Sequence, residues 1–222
     1  MTATSARTPQ AAPASTARRI LSGPRLAWLH LRSRRVPAGF LALAICGGLL
    51  HAALRFNWTF NSGRYAQLVP MIIAAGAAAL IAMTAHSPFG EAERPTGRWL
   101  PYLRLGTAAG MCAAAVGLLQ LGVVGMSLNE GVLVLARNVI GFTGLGLMCS
   151  LVTGGLLAWT LPLGYMAFCQ YALLASWTVP WTWPGRPPDD RGAWICACLC
   201  LAAGLLLYTI RGPRIRPNDD YA

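Results

Sequence analysis

The sequence predicts an all-α, polytopic membrane protein of six transmembrane helices with both termini in the cytoplasm. Three observations carry that expectation. Only 11% of the 222 residues are charged and 55% are hydrophobic, whereas an ordinary soluble domain carries about 25% charged residues. Residues 36–54, 65–85, 105–129, 138–185 and 192–210 contain no Asp, Glu, Lys or Arg. The arginines, finally, are unevenly shared between alternate connecting segments.

About 20 residues of helix cross a hydrocarbon core, so the 48-residue run at 138–185 accommodates two crossings. With the N-terminus inside, the inner segments hold thirteen Arg and the outer segments five: Arg55, Arg64, Arg137, Arg186 and Arg191. That asymmetry is the positive-inside pattern. The net charge of +11 therefore reports orientation and attraction to anionic lipid. No nucleic-acid partner is expected.

Residues 1–23 read as a disordered basic tail, because Ala, Ser, Thr and Pro without apolar periodicity bury too little surface to offset chain entropy. A transmembrane domain follows over 24–216, then a short tail at 217–222. Within 24–35, Trp28 and Arg25, Arg32, Arg34 and Arg35 suit a helix lying in the membrane interface; a disordered flank is the alternative reading. The first crossing, 36–54, starts too far along the chain for a cleaved signal peptide of about 15–30 residues. His51 near its outer end reads as an interfacial residue.

The second and third crossings, 65–85 and 105–128, are rich in Ala and Gly. Gly106, Gly110 and Ala114 fall four apart, as do Gly146, Ser150 and Gly154 in the fourth crossing, a spacing that lets helices approach closely in lipid. Arg137 is expected to sit shallow, its guanidinium snorkelling to the outer surface. Its two readings are an outer-leaflet anchor or, with Gln120, Asn138 and Gln170, the lining of a translocation path. A tight turn around Pro162 divides the fourth and fifth crossings. The segment after the fifth holds Pro180, Pro184, Pro187 and Pro188 and reads as a stiff, extended, solvated cap.

No metal site is expected. All seven Cys lie in apolar runs as small hydrophobes, and adjacent Asp189 and Asp190 lack further oxygen ligands. A chain without Lys cannot form a P-loop, and neither HExxH nor GxSxG occurs. The apolar runs hold no carboxylate, so no enzyme activity and no cofactor are expected in this chain.

The Arg-rich "LAWLHLRSRRVP", the charged loop "SPFGEAERPTGRWLPYLR", "RNVIGFTGLGLM" with Arg137, Asn138, Gly141 and Gly144, "AWTLPLGYM" with Trp159 and Pro162, and the closing "LYTIRGPR" resemble the six-span permease-like subunits of bacterial ABC exporters. The resemblance covers residues 25–216. It implies a multi-pass subunit of the bacterial plasma membrane, an elbow helix at 24–35, and a coupling segment at 88–104 docking on a separate ATPase chain that holds the ATP. It also implies a second membrane subunit, identical or not; the family often places short re-entrant helices between its last two crossings, and the brief Pro-rich segment here departs from that pattern. Glu91, Glu93, Arg94 and Arg98 become the contact with the ATPase, offering both signs of charge to a polar surface. A solvated loop in a non-transporting membrane scaffold is the alternative.

Overall fold

In the computed structural model, the residues described are 36–56, 68–85, 100–126, 131–177 and 179–211. They form six α-helices and no strand: α1 (Val36–Arg55), α2 (Leu68–Thr84), α3 (Leu100–Val123), α4 (Gly131–Thr153), α5 (Thr160–Leu174) and α6 (Arg191–Arg211). A 3₁₀ turn, Gly155–Leu157, joins α4 to α5, and a second 3₁₀ helix, Pro180–Gly185, lies between α5 and α6. Val36–Arg55, Pro101–Val123, Gly131–Thr153, Gly155–Leu174 and Arg191–Arg211 are each long and apolar enough to cross a membrane. At 17 residues α2 is shorter.

Exposure patterns say where lipid belongs. On α6, Ile195, Leu199, Leu206 and Ile210 lie on the surface, Leu199 at 63%; α1 likewise exposes Phe40, Leu41, Ile45 and Leu49. Water would penalise such contiguous apolar faces, whereas hydrocarbon does not. Exposed Trp159 lies just before α5 and exposed Trp177 and Trp181 just after it. Eighteen residues of mostly helical chain span roughly 27 Å, close to the distance between the two interfacial aromatic belts of a bilayer. The chain is therefore built as a helical membrane protein.

The bundle is organised around α4. It packs most extensively on α6 and then on α2, while α1 packs on α3 and α2 bridges the two pairs. α2 is apolar on every side, while α4 buries Arg137, Asn138, Thr143 and Ser150 among its apolar residues. α2 packs through alanines, burying Ala74, Ala75, Ala77, Ala78 and Ala82. Methyl side chains let its neighbours close in without voids.

Glycine marks the closest helix crossings. A Cβ on Gly144 would lie 2.3 Å from the backbone of Cys200, and one on Gly204 would lie 2.5 Å from the Gly144 carbonyl. The α4–α6 contact is thus backbone on backbone. Gly122 does the same for α3 and α1, where a Cβ would meet the Gly47 carbonyl at 2.4 Å, and His51 Nδ1 bonds the Gly122 carbonyl at 3.0 Å in the same crossing. The ladders expected from spacing divide. Gly146 does pack against Ala82 of α2, but Gly106 and Gly110 face outward, with nothing within 4 Å of a would-be Cβ.

A prediction follows from that difference. Gly144→Ala should destabilise detergent-solubilised protein by about 1–3 kcal/mol through overpacking, and Gly110→Ala should change it by less than about 0.5 kcal/mol. Thermal unfolding of the two variants side by side checks this.

The connection from α4 to α5 falls where the sequence places it. Pro162 is the third residue of α5, where a backbone N–H has no intrahelical acceptor in any case. The segment between α5 and α6 does not match its expectation. Instead of an extended solvated cap, residues 180–185 form two short 3₁₀ turns joined by a kink at Thr182, with Pro180 in the first turn, and Thr182, Trp183 and Pro184 are buried. Proline's fixed φ suits a helical first turn as well as an extended chain, and the buried indole decides between them.

Candidate functional site

Arg137 is the seventh residue of α4, roughly 9 Å of helix below its start, and is completely buried, with 0% of its surface exposed. Moving a guanidinium into hydrocarbon is costly unless its N–H groups find acceptors. Here they find backbone carbonyls. Nη2 donates to Trp183 O and Arg186 O, both at 2.6 Å, and Nη1 donates to Pro187 O at 2.8 Å. The planar fork of an arginine serves several acceptors at once, which an ammonium cannot do with the same geometry.

Asn138, 2% exposed, adds a longer contact from Nδ2 to Pro184 O at 3.4 Å. Consecutive residues of α4 therefore hold the carbonyls of residues 183–187 from below. Arg137 does not reach the surface as a snorkelling side chain would: the chain folds back over the guanidinium and carries its own acceptors to it.

Trp183 forms the other half of the joint. Its indole lies on Gly141, where a Cβ would approach the ring to 2.7 Å, so a bare helix face is needed there. The ring stacks on Tyr165 of α5 with centroids 4.7 Å apart at 31°, and tilts against Phe142 at 6.3 Å. Tyr165 Oη donates to the Trp181 carbonyl. Such aromatic pairs add about 0.5–1.5 kcal/mol each beyond the area they bury. Neighbouring Trp181 stays exposed, so the 3₁₀ helix presents one indole to the bundle and one to the surface.

The far end of the segment is fixed by Asp190, the residue before α6. Its Oδ1 accepts from the Ala193 N–H at 3.2 Å, an N-terminal cap, and its Oδ2 accepts from Arg186 Nε at 2.6 Å. The Arg186 bond first, and the Ala193 N–H second, hold the Asp190 carboxyl below the usual carboxylate range. A depressed folded-state pKa contributes stability above the unfolded value, about 4, and that contribution is lost as pH falls through the folded value. The unaltered protein should therefore lose thermal stability on acidification below about pH 4 more steeply than Asp190→Asn, which keeps a capping side chain without a titrating one. Melting curves from pH 6 to pH 3 in detergent check it.

At the opposite end of the bundle Tyr208 of α6, fully buried, donates from Oη to the Ala85 carbonyl at 2.6 Å. Ala85 follows α2 directly, so this bond ties α6 to the end of α2.

The sequence-derived candidates divide accordingly. Arg137 and Asn138 act together on residues 183–187. Gln170 of α5 is half-buried and donates from Nε2 to Met71 Sδ of α2 at 3.1 Å, while Gln120 is half-buried on α3. Among the described residues no hydrogen bond joins either glutamine to Arg137 or Asn138. Glu91, Glu93, Arg94 and Arg98 lie outside the described residues. Spacing did not reveal Trp183 or Tyr208, although Gly141, at whose position a Cβ would meet the indole, was among the residues that carried the resemblance. Compared with known protein families, with curated proteins and with solved structures, the chain matches none.

Proposed function

We propose that this chain is the membrane-spanning, permease-like subunit of an ABC exporter in the bacterial plasma membrane. In this reading the six helices are six crossings, both termini are cytoplasmic, and ATP is bound and hydrolysed on a separate chain. Residues 88–104 form the coupling segment, with Glu91, Glu93, Arg94 and Arg98 meeting the ATPase. A second membrane subunit encloses the path, along which Gln120, Arg137, Asn138 and Gln170 are the polar candidates. This chain performs no chemistry of its own.

One observation carries the reading furthest: the short, kinked helical segment Pro180–Gly185 between the last two crossings, whose buried part is held by Arg137. The family resembled often has short re-entrant helices in that place, a feature these residues do not suggest by sequence, and an unsupported loop there would leave carbonyls unmet in lipid. In the mechanism that follows, closure of the ATPase pair pushes on 88–104 and tilts α2 and α3. The α4–α6 pair, joined backbone to backbone, moves with the 180–185 helix as one piece. Access alternates between the two sides.

The test is copurification. Tagged protein in mild detergent should bring down a chain that binds nucleotide, and the combined change Glu91→Lys, Glu93→Lys and Arg94→Glu should reduce its recovery at least tenfold. A partner-free preparation, with efflux of drugs and lipids unchanged on deletion, would favour the scaffold reading.

A further inference from the structure

The seam between α4 and the 180–185 helix holds two buried polar atoms that no described residue satisfies. Asn138 turns its Nδ2 to the Pro184 carbonyl; because a carbonyl only accepts, this contact fixes the orientation of the amide. Asn138 Oδ1 is then an acceptor without a donor. Trp183, 3% exposed, carries an indole Nε1–H without an acceptor.

Both atoms lie in the seam between α4 and residues 183–184. Trp183 Nε1 lies 2.7 Å from the position a Cβ on Gly141 would take. Gly141 follows Asn138 by three residues on the same face of α4, where side-chain origins are about 5–6 Å apart. One water, with two hydrogen bonds of about 2.8–3.0 Å, bridges polar atoms about 5.5–6 Å apart. Buried waters are found where two or more such groups converge.

We propose that this seam binds a single water molecule, which accepts from Trp183 Nε1–H and donates to Asn138 Oδ1. Elsewhere in the same joint Tyr165 and Phe142 pack on the indole. The Arg137 carbonyl contacts are direct. The 180–185 helix is thus joined to α4 by a charged clamp at residue 137 and a hydrated contact at residue 138. This assignment stands apart from the transport reading, since it requires only the packing of α4 against Trp183.

The experiment uses the full chain in lipid nanodiscs, labelled with nitrogen-15 at the tryptophan indoles, and measures magnetisation transfer from water to each indole N–H. The Trp183 signal is identified by its loss in Trp183→Phe, or by sequential assignment if that variant does not fold. Its indole should show a water cross-peak, and Asn138→Leu, which fills the amide's volume without an acceptor, should abolish it while exposed Trp181 keeps its own. No water cross-peak on Trp183 in the unaltered protein overturns the proposal. So does a cross-peak of undiminished intensity in Asn138→Leu. If Asn138→Leu does not fold, the unaltered protein decides alone, a cross-peak supporting the site and its absence refuting it.

Discussion

Trp183→Ala should unfold detergent-solubilised protein more readily by about 3–5 kcal/mol, the usual range for emptying a buried indole site. The indole touches two helices at once, lying on Gly141 and tilting against Phe142 of α4 while stacking on Tyr165 of α5. Removing it leaves a void that the bundle cannot easily close, because Gly141 has no side chain to move into it. Trp181→Ala serves as the contrast. Its ring is exposed, so the same deletion should cost less than about 1 kcal/mol. Thermal melts of the two variants separate a buried helix from a solvated loop, which would show equal and small effects at both positions.

Arg137→Ala comes next, with an expected loss of about 2–4 kcal/mol. Three carbonyls lose a charged donor. Two of them keep a weaker partner, since Arg186 N donates to Trp183 O and Asp190 N to Pro187 O, which is why the cost stays below three full unsatisfied groups. The change should be local before it is global. Amide exchange across residues 180–190 should accelerate more than tenfold while the α4–α6 contact at Gly144 stays protected. Arg137→Lys should fall between, because a compact ammonium cannot reproduce the planar fork. Uniform acceleration across the whole chain in Arg137→Ala would mean that the arginine holds the bundle generally and not this segment.

Much of the architecture was legible in the sequence because lipid imposes so simple a rule. Charge is costly in a span, so the uncharged runs mark α1, α2 and α6 closely, whereas α4 begins well before its run because Arg137 lies inside the helix. Pro162 together with the length of the 138–185 run placed the turn before α5. Arg137 and Asn138 stood out for the same reason, as polar exceptions near the start of a span. Their partners did not stand out. Backbone carbonyls carry no sequence signal, and nothing in "VPWTWPGRPPDD" distinguishes a helix that folds back over an arginine from an extended chain in water. Proline is compatible with both. The difference rests on which of two nearby tryptophans meets Gly141, a long-range fact.

Small-residue ladders show the same limit. Spacing identifies which residues share a helix face but not which face meets another helix. Gly106 and Gly110 repeat every four residues and would meet no described residue with an added Cβ, whereas Gly144 and Gly204, sixty residues apart, make a backbone-on-backbone crossing. Tyr208 was invisible for a related reason. A tyrosine near the end of a span reads as an interfacial anchor, and only the fold brings its hydroxyl to the carbonyl of Ala85.

The membrane orientation on which the coupling role of residues 88–104 depends is tested most directly by a specific protease site inserted after residue 95. In inside-out membrane vesicles the protease should cut the chain to completion, and in right-side-out vesicles it should leave it whole. Cleavage confined to right-side-out vesicles would put this segment outside the cell, beyond reach of any ATP-hydrolysing partner, and would contradict the account.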